Sequence, residues 1–291
     1  MVTLDDELDT PGAAPATTGA RAAPPGWGVR SYLLAVVLIS LIPLAGFAAY
    51  LSYDSSLGQL ETIRTSILST TRALAVAVDE HIHTRRAMLE ELARSETLRR
   101  GDLAGFHAQM VSLSHLLGGT IITLVRADGT RALFSSLPAG AVVPGTSDPD
   151  LVRRVFTTGR PQVSDVFTGV VTKTPLAVIA VPVRADDEIA YSLQLTLDPA
   201  DFIRLLSAHD LPASWISGIV DRNGRFLARV PDNDQRVGHL ASAGWRAAIR
   251  AAPDEDWRRF DALEGQSVYN GHTRAPESGF IVGIGIPAAV I

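Results

Sequence analysis

Seven polar side chains in the middle of the chain have the chemistry to hold a small ligand. Arg153, Arg154 and Arg160 flank a short predicted helix, while Asp165, Thr168, Lys173 and Tyr191 lie on or beside predicted strands. A guanidinium beside a sheet can grip a carboxylate through two parallel N–H bonds. Residues of these types are mostly surface groups unless a pocket recruits them. Arg229, Trp245, Tyr269 and His272 form a second, weaker set toward the C-terminus.

Reactive chemistry is not signalled. The sequence has no P-loop, GxGxxG, HExxH or GxSxG pattern, and no kinase-like phosphoacceptor or nucleotide-binding region. No enzyme activity and no cofactor are therefore expected. His81 and His83 raise the question of a metal, but side chains two apart on a helix point to nearly opposite sides, so they read as solvated helix histidines. Asp232 and Asp234 in "PDNDQ" lack the spacing of a calcium loop and read as a turn. There is no cysteine, which excludes disulfides and thiolate metal sites. A net charge of −5 over 291 residues argues against nucleic-acid binding, which calls for concentrated positive charge.

The elements that must position these residues follow a clear order. Residues 1–30 are rich in Pro, Ala, Gly and Thr and read as a disordered cytoplasmic tail. Residues 31–53 carry no charge, and as a helix they span about 35 Å, enough to cross a bilayer. A cleaved signal peptide would have a shorter apolar core, so an uncleaved anchor is the expectation. Arg21 and Arg30 precede the segment and Asp54 follows it, which puts the N-terminus inside and 54–291 across the membrane, periplasmic or extracellular.

From 55 to about 100 the apolar residues Leu57, Leu60, Ile63, Ile67, Leu74, Val78, Ile82, Met88, Leu89 and Leu92 recur at steps of mostly three and four, with Thr71 in register. That spacing predicts one face of a long stalk helix. Such a helix can pack on its own domain or against a second copy, and either is compatible with transmitting movement; a homodimer is among the expected assemblies. A second helix is predicted over 103–117.

Beyond it the chain repeats itself. "TLVRADGTRALFSS" (123–136) and "GIVDRNGRFLARV" (218–230) each read as a β-hairpin turning at Asp128-Gly129 and Asn223-Gly224, where a tight primed turn would need positive φ. After the first come a Pro/Gly loop (137–150), a helix (150–158) that Asp148 or Asp150 could cap, strands at 161–171, 174–184 and 189–198, and a closing helix (198–210). After the second come a helix (242–251) and strands at 256–263, 266–274 and 279–288. Each copy also has a late apolar strand containing a proline, "AVIAVPV" and "IVGIGIPA". Matching landmarks in matching order predict an internal duplication of a five-stranded α+β unit.

This plan resembles the double Cache, tandem PAS-like extracellular sensor regions of bacterial receptors. The similarity rests on the stalk, on "RVFTTGRPQVSDVFTG" with "VIAVPV", and on "WISGIVDRNGRFLAR" with "SGFIVGIGIPAAVI"; it is greatest to histidine kinase input domains. The resemblance implies an α+β fold with a transmembrane helix (31–53), stalk and second helix (54–118), a membrane-distal unit (119–210) and a membrane-proximal unit (211–291). It implies a small-molecule sensor that signals across the bacterial inner membrane. Receptors of this kind continue into a second membrane helix and an output domain, so a chain reaching Ile291 is expected to be a fragment or to act through a separate output protein. Amino-acid-sensing members tend to carry an Arg-x-Trp-Tyr-type cluster, and 137–170 has neither Trp nor Tyr, so amino-acid sensing is not expected. A structural or dimerisation module without a ligand is the alternative.

Overall fold

The computed structural model describes residues 29–185, 188–209 and 211–291; most of the tail read at 1–30 lies outside the described residues. The chain divides into two compact units between Leu57 and Gly58. Helix α1 runs Val29–Ala93. In its N-terminal part large apolar side chains from Tyr32 to Ile42 are exposed. Among the described residues no helix is long and apolar enough to cross a membrane, so a crossing at 31–53 stays a sequence-based expectation.

From Gly58 on, α1 buries the face its periodicity predicts. Ile67, Thr71, Leu74, Val78, Ile82 and Leu89 are buried, while Met88 is exposed. Between Ile82 and Leu89 the turn instead presents Arg85, whose guanidinium pairs with Asp201. The predicted single helix to residue 100 is broken at Ser95, which has an extended backbone, and resumes as one turn, α2 (Glu96–Arg99). Helix α3, Leu103–Leu116, starts where Asp102 accepts the Gly105 amide at 2.8 Å.

Two antiparallel sheets follow. The first is built from β1 (Ile122–Val125), β2 (Arg131–Phe134), β3 (Gln162–Val163), β4 (Phe167–Thr168), β5 (Pro175–Ala185) and β6 (Glu188–Leu197), with helix α4 (Pro149–Thr158) inserted after β2. Its order is β2-β1-β6-β5-β3, with β4 also on β5. Helix α5 (Pro199–Ser207) leads to the second sheet: β7 (Ile216–Val220), β8 (Phe226–Val230), short α6 (Asn233–Arg236), α7 (Ala243–Ala251), β9 (Glu255–Asp261), β10 (Ser267–Arg274) and β11 (Ile281–Pro287). Its order, β8-β7-β11-β10-β9, repeats the first.

One core joins α1, α3 and one face of each sheet. Leu74, Val78, Phe106 and Met110 belong to it together with Leu193, Leu195 and Leu197 of β6 and Val282, Ile284 and Ile286 of β11. Each fully buried aliphatic side chain contributes about 1.5–3 kcal/mol of burial. The opposite faces carry smaller cores: Leu151 and Val155 of α4 on Leu176 and Val178, and Trp245 and Ile249 of α7 on Val220, Phe226 and Ile281. Helix α4 is capped by Asp148, whose carboxylate takes the Leu151 amide at 2.9 Å, and it ends at Gly159 with φ 62°.

Three local expectations change. Both hairpins close with only the glycine at positive φ, 83° at Gly129 and 77° at Gly224. Each therefore has a type I turn followed by a glycine bulge, with the strand register shifting beside it, rather than a primed turn. The predicted strand 161–171 splits in two at Ser164–Val166. Ser164 Oγ accepts the Val178 amide at 2.9 Å, and the Val166 amide leaves the sheet for Asp221 Oδ2 at 2.8 Å. The "PDNDQ" segment, read as a turn, instead enters the one-turn helix α6 at Asn233, with Asp232 left-handed at φ 65° as its N-cap.

That departure of Val166 makes the second hairpin turn a joint between the two sheets. Buried Asp221 also accepts the Asn223 and Arg225 amides at 2.9 and 2.8 Å. Beside it, Arg222 reaches Asp165 at 2.8 Å and the Val163 carbonyl at 2.6 Å, while Asn223 Nδ2 donates to Asp165 at 3.0 Å.

Candidate ligand-binding site

The first sheet turns a partly polar face away from α1. Leu193, Leu195 and Leu197 of β6 point into the main core, so Gln194 and Thr196 between them point the other way. Gln194 stands opposite Thr123 on β1, and Thr196 opposite Val178 on β5. Ser147 from the 137–150 loop and Thr172 from the β4–β5 loop close over these strands. The resulting cavity has about 410 Å3 of space between its lining atoms, open mouth included, but only about 30 Å3 in which the centre of a water-sized sphere fits. It suits a ligand of few atoms.

Arg131 supplies its charge. One guanidinium nitrogen donates to the Pro144 carbonyl at 2.9 Å and another lies 3.3 Å from Ser147 Oγ, while Nε has no partner in the protein. The group sits 5.7 Å from the centre of the Phe134 ring. Among the described residues no carboxylate pairs with it, and burial pulls its pKa below that of a free guanidinium with no acid to offset the effect. Ser147 Oγ also accepts the Val170 amide at 2.8 Å, which ties the two covering loops together. A fixed cation, four threonines, a serine and a carboxamide around a narrow space can bind a small anion. Among the described residues no cluster could hold a metal ion.

The residues singled out from the sequence lie around this cavity rather than in its lining. Arg153, Arg154 and Arg160 are exposed at and beyond α4, and Arg153 pairs with Asp150 on the same helix at 2.7 Å. Asp165 serves the joint with Arg222. Thr168 and Lys173 are exposed and bracket the loop segment 169–172 that forms one wall. Half-buried Tyr191 packs on the main core opposite Val183. Arg131, Gln194 and Thr196 were not singled out. For Gln194 and Thr196 the signal is the strict alternation of "SLQLTLD", which puts them on the face opposite the leucines.

In the second sheet Arg229 and Trp245 line a corresponding cavity, and Tyr269 and His272 do not. Tyr269 stacks on Trp257 with 5.8 Å between ring centres. Buried His272 points Nε2 at the Ala252 carbonyl, 2.9 Å away, and burial lowers its pKa. His81 is half-buried, edge-on to Phe202, with Nε2 accepting from Arg85 at 3.1 Å; burial foremost, then the Arg85 charge, lowers its pKa. The tertiary packing of α5 thus overrides the solvated reading of His81, and His83 is exposed as expected.

No protein-family model and no curated relative matches the chain. Solved structures do. An extracellular domain described as that of a histidine kinase matches with TM-score 0.65 and 16% identity, over 79% of this chain and 96% of that one. The ligand-binding domain of the Pseudomonas aeruginosa amino-acid chemoreceptor PctB, with L-arginine, matches with TM-score 0.58 and 14% identity, over 79% and 97%. That of the Campylobacter jejuni chemoreceptor Tlp3, with L-norvaline, gives TM-score 0.61 and 13% identity over 79% and 92%. The chain has the fold of receptor sensor domains. The tandem PAS-like plan read from the sequence holds at that level.

Proposed function

We propose that the chain is an extracytoplasmic small-molecule sensor module of a signalling receptor of the histidine kinase type, and that its ligand is a small carboxylate held by Arg131. The unpaired, partly buried guanidinium in the first-sheet cavity carries this reading. Ion-pairing such a group offsets its desolvation, so a carboxylate that enters is favoured over a neutral isostere. Amino acids are named as ligands of two of the similar chemoreceptors, which supports a ligand bearing a carboxylate. The lining contains no Asp or Glu to complement an ammonium. Together with the missing Arg-x-Trp-Tyr-type cluster, this favours simple carboxylic and hydroxycarboxylic acids over amino acids.

The same reading assigns 119–210 to a membrane-distal unit and 211–291 to a membrane-proximal one, with the stalk and second helix at 54–118. The uncharged stretch 31–53 and its exposed apolar side chains support a membrane anchor with the N-terminus cytoplasmic. A homodimer fits the stalk. Non-catalytic neighbours and the lack of a catalytic constellation favour a binding role over an enzymatic one.

A thermal-shift series on the full chain with acetate, propionate, lactate and alanine tests the proposal. A ligand that binds only the native state raises the midpoint with concentration. Lactate or propionate should do so and alanine should not. If none shifts a cooperatively folded chain while a protein partner co-purifies, an interaction module is the better reading.

A further inference from the structure

The second sheet has its own cavity, and its chemistry differs. We infer that it is a second binding site, for a small uncharged molecule of amide type. The space between its lining atoms is about 390 Å3, mouth included, with about 30 Å3 for the centre of a water-sized sphere. Its walls are mainly apolar, from Ile216, Phe226, Phe260, Leu263 and Val268.

Two buried polar atoms in this lining have no hydrogen-bond partner in the protein: the indole Nε1 of Trp245 and Oδ1 of Asn270. Each residue is 6% exposed. A buried donor or acceptor left unpaired is costly, so a molecule that satisfies both is held by that difference. Trp245 offers only a donor, and the Asn270 oxygen only accepts. The complementary ligand therefore presents one acceptor and one donor, as an amide does.

The lining cation does not ask for an anion. Arg229, 2% exposed, donates to Glu264 at 2.8 Å and to the Pro231 carbonyl at 3.0 Å, and Asp232 lies 3.6 Å away. Its charge is already matched, in contrast to that of Arg131. Glycines on the strands make room for the aromatic walls of the cavity. Gly283 and Gly218 face each other, and a Cβ on either would run into the ring of Trp245 or Phe226. At Gly285 an added Cβ would meet Asn270 Nδ2 at 3.6 Å and Val268 at 3.7 Å, which is ordinary contact. A methyl group therefore fits at that position without a clash, in the cavity lining beside the Asn270 amide.

The test uses the full chain labelled with 15N-tryptophan, which has four indole N–H groups, titrated with 2-pyrrolidinone and with N-methylacetamide. The indole resonance absent from Trp245→Phe should shift and saturate, and the other three should stay. Gly285→Ala should keep the folded spectrum and weaken binding at least tenfold. Arg131→Gln should leave it unchanged, so this result stands or falls apart from the carboxylate reading. The inference is overturned if no indole shifts up to about 10 mM amide, if Gly285→Ala binds as tightly as the parent, or if Arg131→Gln abolishes the shift. The gap between a satisfied and an unsatisfied buried pair makes a tenfold change the minimum expected.

Discussion

Asp221→Ala removes the side chain that ties the two sheets together. Three backbone amides lose their acceptor: Asn223 and Arg225 within the turn, and Val166 across the joint. Residues 223 and 225 are exposed, so water can replace their partner and each bond costs about 0.5–1.5 kcal/mol. The bond to Val166 is buried, and its orphaned amide costs about 1–3 kcal/mol. Against this, the carboxylate is itself expensive to bury; burial raises its pKa despite the amides that pull the other way. The net loss is about 2–4 kcal/mol, which for a body of this size lowers the melting temperature by roughly 5–15 °C. Circular-dichroism melts of the full chain measure it, and amide exchange at Val166 should accelerate in parallel. Arg222→Ala, which removes a partly exposed ion pair from the same joint, should cost less than about 1 kcal/mol. A melting point for Asp221→Ala within 2 °C of the parent, or above that of Arg222→Ala, would refute the reasoning about the joint.

Other perturbations have defined outcomes. His81 and His272 both have depressed pKa values in the folded state, so their contribution is intact above the usual 6.5 and declines as pH falls below it, by at most about 1.4 kcal/mol per unit and group. Melts at pH 7.5 and 5.5 should therefore differ, and His272→Gln should reduce the difference. Asp79→Ala should lower stability by about 1–3 kcal/mol, because Asp79 on α1 accepts the Glu277 and Ser278 amides at 2.8 and 3.0 Å; denaturant titration reads it. Asp201→Asn leaves the guanidinium of Arg85, 13% exposed, without its counter-charge, and should cost about 2–3 kcal/mol in the same assay.

The parts of the fold set by local chemistry were legible from the residues. The three-and-four spacing from Leu60 to Leu92 marked the buried face of α1, and Asp-Gly and Asn-Gly marked both hairpin turns. The turn type was not legible, because only the glycine of each pair sits at positive φ and a bulge absorbs the remaining twist. The break in 161–171 was hidden for a longer-range reason: Ser164 and Asp221 satisfy amides that a continuous strand would have paired. Met88 fell outside its expected face because α1 turns Arg85 toward Asp201 on α5. The cavity was hardest to read. In the sequence Arg131 looks like any charge after a turn, and its lack of an acid becomes visible only once the 137–150 loop folds over it and offers a carbonyl and a hydroxyl instead.

The central claim, a sensor cavity that selects small carboxylates through Arg131, is tested most directly by calorimetric titration of lactate into the full chain and into Arg131→Gln at constant ionic strength. The expected result is saturable one-site binding by the parent and at least tenfold weaker binding by the variant, with unchanged circular-dichroism spectra. Equal affinity for lactate in both proteins would contradict it.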